Sequence, residues 1–294
     1  MTYEVLLFYK YVTIADPEVV AQRVQECATR LGLLGRVIVA QEGINATLEG
    51  RLSDTTLFLK DFLTDERFKG IDIKRSAGDG RTFPKLSVKV RTEIVGTRFT
   101  SEEADPRVKT APRVGPDEIK KWYEANEDFV VIDMRNSYEF SSGHFVNAID
   151  PGLRNSRDLP QAMERLVPFK EKKVLTVCTG GVRCEKMSAY LLNKGFREVY
   201  QLDGGIHSYM EKYPGQDFLG TLYTFDQRVT MDFGGERKVI GRCALCGTAT
   251  ERYVNCADDD CHLHFLACKA CSPEDTSVGC GAECQARIAR RAAA

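Results

Sequence analysis

The stretch VLTVCTGGVRCEK, Val174 to Lys186, decides how the middle of this chain folds. A short β-favouring run ends at Cys178, two glycines and Arg183 follow, and Cys184 opens a helical pattern. A cysteine at such a strand-to-helix turn meets converging backbone N–H groups, because the loop closes around it and the next helix begins with orphan donors. Those donors stabilise a thiolate and lower its pKa. Gly180 and Gly181 let the backbone curl without a side chain blocking the cradle, and Arg183 adds positive charge close by. Thr179, Gly180, Gly181 and Val182 separate Cys178 from Arg183, so the loop is Cys-x4-Arg. It is one residue shorter than the Cys-x5-Arg cradle of a phosphatase, and better suited to a single sulfur than to a phosphate. Cys178 is therefore the expected nucleophile or covalent carrier. Cys184 is either a resolving thiol for an oxidised Cys178 or a packing residue at the helix start.

Outward from the loop, the runs Phe129 to Ile132, Val174 to Val177 and Val199 to Leu202 read as strands separated by helical stretches. Strands alternating with helices indicate a parallel α/β sheet, whose catalytic groups sit at strand carboxyl ends. This unit is expected over residues 116–215. Before it, residues 1–97 read as β-α-β-β-α-β, a ferredoxin-like, acylphosphatase-like α+β sandwich in which Asp16-Pro17 opens the first helix and a turn near Glu42-Gly43 joins two strands. Between the two, residues 98–115 lose apolar periodicity and are charged and proline-containing, which marks a linker.

The chain has 294 residues, too many for one ordinary domain, with 43% hydrophobic and 28% charged residues and a formal net charge of −1. That balance excludes a general bias toward polyanions or membranes. The first residues lack the basic segment of a signal peptide, and no apolar run approaches the roughly 20 residues of a membrane helix, so a cytoplasmic protein is expected. Eight of the eleven cysteines lie in residues 216–294, as Cys243-x2-Cys246, Cys256-x4-Cys261, Cys268-x2-Cys271 and Cys280-x3-Cys284, with His262 and His264 near the second pair. Without an export signal this spacing reads as metal ligands for two ions, zinc fitting best, in either interleaved or sequential pairing. Sites filled by four thiolates leave no open position, which makes the metal structural.

The segment VVIDMRNSYEFSSGHFVNAI resembles the rhodanese signature through Asp133, Arg135, Glu139, Phe140, Gly143, His144 and Ala148, and GFREVYQLDGGIHSYMEKYP resembles that family's closing motif, with Tyr209 in place of a tryptophan. The resemblance implies a persulfide-carrying Cys178, with Asp133, Arg135 and His144 supporting the loop. Taken over nearly the whole chain, VIVAQEGINATLEG, FPKLSVKVRTEIV, CTGGVRCEK and YVNCADDDCHLHFLACKAC are similar to the bacterial tRNA uridine hydroxylases. That resemblance implies oxygen-dependent conversion of the wobble uridine, position 34, to 5-hydroxyuridine, dependent on Cys178, with the anticodon region of tRNA as partner. A rhodanese-type sulfurtransferase is the alternative. The residues contain no flavin, haem or 2-His-1-carboxylate pattern. Residues 67–113 hold twelve Lys/Arg against six Asp/Glu, an excess able to track a phosphate backbone, and Phe83 and Phe99 are candidates for stacking on bases.

Overall fold

The computed structural model describes residues 2–235, 238–273 and 278–292. The N-terminal part runs β1 (Tyr3–Tyr11), α1 (Pro17–Arg30), β2 (Leu34–Ala40), β3 (Gly43–Arg51), α2 (Leu52–Phe62), β4 (Ile73–Gly78) and β5 (Leu86–Val90). Its five strands lie in the order β4-β1-β3-β2-β5, antiparallel except that β5 joins β2 in parallel. The first four strands and two helices are the ferredoxin-like arrangement; β5 is an added edge. Alternation along each strand sends Leu6, Phe8, Val37, Val39 and Leu48 to a core shared with Val20 and Val24 of α1 and Phe58 of α2. The same alternation leaves Leu7, Tyr9, Asn45 and Thr47 on the opposite face, which no helix of this unit covers.

Residues 98–115 are packed rather than free. Phe99 stacks on Tyr190 with ring centroids 4.5 Å apart, and Arg113–Val114 form β6, an edge strand beside β10. The following elements are α3 (Pro116–Glu124), β7 (Phe129–Asp133), α4 (Ser137–Phe140), β8 (Gly143–Phe145), α5 (Leu159–Leu166), β9 (Lys173–Val177), α6 (Val182–Asn193), β10 (Glu198–Leu202) and α7 (Gly205–Lys212). Strands β6-β10-β9-β7 form a wholly parallel sheet with apolar clusters on both faces, as buried parallel sheets require. Helix α6 is buried along most of its length between this sheet and the N-terminal part, which is why nine of its twelve residues are inaccessible, charged ones included.

After Pro214 the chain forms short strands. β11 (Phe218–Gly220) pairs with β8, β12 (Leu222–Tyr223) with β13 (Thr230–Met231), and β14 (Tyr253–Asn255) with β15 (His264–Leu266), before α8 (Ala282–Ala292). The β12–β13 hairpin reaches back to the first sheet: Arg228 donates to Ser76 Oγ at 3.0 Å and the Gln227 amide to the Thr82 carbonyl at 3.0 Å. No helix among the described residues is long and apolar enough to cross a membrane.

Candidate active site

Strand β9 ends at Val177, and Cys178 stands where the chain turns toward α6. Its side chain is fully buried, and its sulfur accepts the Gly181 N–H at 3.2 Å. Gly181 has φ +100°, the left-handed region open to glycine, and it is the residue that points this N–H inward. The start of α7 braces the loop from behind: the Ile206 and His207 amides donate to the Cys178 and Thr179 carbonyls at 2.9 and 3.0 Å. Gly205 permits that approach, since a Cβ there would lie 2.6 Å from the Cys178 carbonyl oxygen.

Burial opposes ionisation of Cys178. The neighbouring Cys184 thiol, the Arg183 charge and the backbone N–H groups of Cys184 and Arg183 outweigh it, and the thiol is lowered to about 6. Cys184 is pushed the other way by its own burial and by the anionic sulfur beside it. It is the protonated neighbour that donates.

Arg183 is not a free cation. Its guanidinium forms a fork on Glu139, at 2.6 and 2.8 Å, and reaches Thr179 Oγ1 at 3.1 Å. Glu139 is wholly buried, and it also accepts the Asn136 amide at 2.9 Å, so one carboxylate ties α4 to the loop. Asp133 and Arg135 form a separate buried pair at 2.6 Å, with Arg135 donating onward to the Gly143 carbonyl at 2.6 Å. They shape the β7–β8 corner. His144 bonds the Phe140 carbonyl at 3.0 Å and stacks on the Phe140 ring; none of its bonds reaches the cysteine loop.

In front of the loop lies a cavity of about 380 Å³. Cys178, Thr179, Gly180, Val182 and Arg183 line its floor, and the helix-free face of the first sheet forms its roof through Leu7, Tyr9, Arg36, Asn45, Thr47 and Lys74. The β12–β13 hairpin closes one side with Thr224, Phe225, Asp226 and Arg228. The roof is fastened to α6 directly: Tyr11 donates to the Val182 carbonyl at 3.2 Å, and buried Lys186 pairs with Glu42 and Glu93 at 2.8 and 2.9 Å. Glu185 accepts from Tyr9 at 3.2 Å and also pairs with Arg113. Phe83 lines this cavity, whereas Phe99 is held against Tyr190. Part of the positive excess in residues 67–113 is neutralised by carboxylates outside that stretch: Arg67 pairs with Asp65, Arg75 with Glu4 and Arg113 with Glu185.

The cysteine-rich part gathers two sets of thiols, Cys243, Cys246, Cys268 and Cys271 in one and Cys256, Cys261, Cys280 and Cys284 in the other, each with sulfurs within 4.8 Å of one another. The pairing is interleaved, first pair with third and second with fourth. Closest sulfur separations of 3.6 Å for Cys246–Cys268, 3.7 Å for Cys261–Cys280 and 3.6 Å for Cys280–Cys284 match the roughly 3.8 Å edge of a tetrahedron with 2.3 Å metal–sulfur bonds. His262 and His264 belong to neither set; His264 instead meets the Tyr223 hydroxyl at 2.9 Å.

Three family models match successive parts of the chain: a UPF0176 acylphosphatase-like domain at residues 3–94, a rhodanese-like domain at 115–212 and a rhodanese C-terminal region at 219–285. A tRNA uridine(34) hydroxylase of Cytophaga hutchinsonii is 39% identical over 290 residues, spanning 98% of this chain and 92% of that protein. The chain belongs to the tRNA uridine(34) hydroxylase family. Relatives of the same name in Staphylococcus carnosus and Enterococcus faecalis are 42% and 40% identical, spanning 90% and 99% of this chain and 84% and 92% of theirs. Similarity to these hydroxylases thus extends over all three parts that enclose the cavity.

The partners that complete the site were less legible in the sequence than the loop itself. Glu139 sits three residues after Asn136, where a carboxylate reads as a helix-start residue, and its second role with Arg183 depends on a contact 44 positions away. Lys74, His207 and Arg228 come from three elements distant in sequence. Only the alternation of Tyr9, Asn45 and Thr47, polar residues facing away from an apolar core, hinted that the first sheet has a functional face.

Proposed function

We propose that this chain hydroxylates C5 of the wobble uridine of tRNA, with molecular oxygen as co-substrate, and that Cys178 is the reactive group. The observation that carries the reading is a low-pKa thiol on the floor of a cavity with room for a nucleotide, roofed by a ferredoxin-like sheet. Such sheets are suited to single-stranded RNA, since their open faces offer aromatic and amide side chains to unstacked bases. The anticodon strand crosses this face, and Arg36, which projects from it, meets its phosphates. The thiolate adds to C6 of the uracil, placing electron density on C5, the carbon that takes one oxygen atom of O2 while a two-electron donor reduces the other to water. Arg183 steadies the loop charge and, with Glu139, fixes the loop's shape; Thr179, Gly180, Gly181, Val182 and Cys184 complete the cradle.

Both four-cysteine sets hold zinc in this reading, as closed structural sites that cross-link the C-terminal part and so position the β12–β13 hairpin. The work is divided between an RNA-contacting unit at 1–97, a catalytic unit at 116–215 and a metal-stabilised unit at 216–294, with 98–115 as connector, in the cytoplasm. Sulfur transfer through a Cys178 persulfide is the competing reading, favoured by the rhodanese-like match.

The test is nucleoside analysis of wobble-position tRNA after incubation with purified protein. Formation of 5-hydroxyuridine by the wild type and its loss in Cys178→Ser is the expected result. Full hydroxylation by Cys178→Ser overturns the reading, and thiocyanate production from thiosulfate and cyanide without hydroxylation replaces it with sulfur transfer.

A further inference from the structure

Covalent attack at C6 leaves a second chemical demand. Once C5 carries its new hydroxyl, the adduct still holds a hydrogen on C5 and the sulfur on C6, and aromaticity returns only when both leave. A base must take the C5 proton. Few groups around the cavity can. Tyr9 is held protonated by burial and by the Glu185 carboxylate that its hydroxyl meets. Asp226 is occupied by Arg228, which holds its two oxygens at 3.0 and 2.6 Å, and by Thr224. Arg36, Lys74, Arg183 and Arg228 are cations.

His207 remains. Its amide is bonded to the Thr179 carbonyl at 3.0 Å, so the residue is fastened to the cysteine loop, and it lines the same cavity as Cys178. The imidazole stands edge-on to Phe233 at 5.1 Å. Nδ1 is enclosed and makes no hydrogen bond; the Glu211 carboxylate lies 3.4 Å from it, out of line for one. With Nδ1 shut away, Nε2 is the ring nitrogen left to accept a proton. Burial, then the charges of Lys74 and Arg228, lower the ring to about 4, against a smaller opposing influence of Asp72, so it is neutral at working pH and able to accept a proton.

We infer that His207 is the general base that resolves the hydroxylated adduct, an inference that rests on the Cys178–C6 reading above. The C5–H bond breaks and its proton goes to Nε2. The electron pair forms the C5–C6 double bond, and the C6–S bond breaks with its pair returning to Cys178 as thiolate. The step is redox-neutral and needs no further reactant.

The experiment uses full-length His207→Gln and His207→Asn with tRNA carrying uridine or 5-deuteriouridine at the wobble position. Both variants are expected to lose about a hundredfold or more in product formation. They should accumulate a denaturant-stable protein–tRNA adduct and show a primary isotope effect on its decay, while KM for tRNA changes little. Unchanged alkylation of Cys178 by iodoacetamide serves as the control for an intact loop. Wild-type rates in both variants overturn the inference, as does a slow variant with neither adduct nor isotope effect, which would make His207 structural. The Cys178 reading is tested apart from this: if Cys178→Ser still yields 5-hydroxyuridine, that reading fails whatever His207 does.

Discussion

Cys178 is ionised by its neighbours while solvent is kept from it, and this sets how it responds to change. Its thiolate should form as pH rises through about 6, so iodoacetamide alkylation is expected to climb across that pH and level off above it. Cys184→Ala removes a donor to the anion, and the same profile should move to higher pH; an unmoved profile would show that the second thiol is only packing. Glu139→Ala leaves Arg183 buried and unpaired, a loss on the order of 3–5 kcal/mol, readable as a lower denaturant midpoint at unchanged slope. The reactive cysteine was legible in the sequence because strand, glycines and arginine are contiguous. Its electrostatic partner was not, since a buried ion pair between residues 139 and 183 leaves no local pattern.

Among the elements, α6 carries the greatest constraint. It begins in the reactive loop, packs on the parallel sheet, and offers Glu185 and Lys186 to the first sheet on its other side. Lys186→Met would leave Glu42 and Glu93 facing each other without their cation, and the repulsion should part the two units. Faster hydrogen exchange in β1 and α6, with a global midpoint shifted less than in Glu139→Ala, is the expected signature. The helix itself was legible from Cys184 onward, yet nothing in its pattern announced that its polar side is buried as well. Strand β5 shows the same limit in another form. Leu86–Val90 was recognisable as a strand, but a six-element ferredoxin-like count has no place for it, and only the parallel register against β2 shows it to be an added edge.

At the scale of the molecule, the cavity belongs to no single part: the first sheet, the parallel-sheet loops and the hairpin at 222–231 each supply a wall. Its last wall depends on the cysteine-rich part: the Tyr223–His264 bond ties the hairpin to β15, and the Tyr253 hydroxyl on the Tyr138 carbonyl ties that part to the parallel-sheet unit. A strong chelator should therefore release two metal ions per chain, expose the segment after residue 214 to protease, and lower activity while the parallel sheet stays folded. Retained activity after full metal loss would separate the hairpin from the metal sites. The spacing of the eight cysteines revealed two sites but allowed both pairings, because each short pair chelates alone and the interleaving arises from chain path.

That shared cavity also has a consequence for how the protein is born. Synthesis runs from the N-terminal side, so the cysteine loop is made before the hairpin that closes the cavity's side. During that interval the thiol has its activating neighbours and its roof but an unfinished entrance. The cysteine sets are complete only once Cys280 and Cys284 have been made. A chain cut before residue 222 would keep the Cys178 loop and the first-sheet roof and lack the wall formed by Thr224 to Arg228.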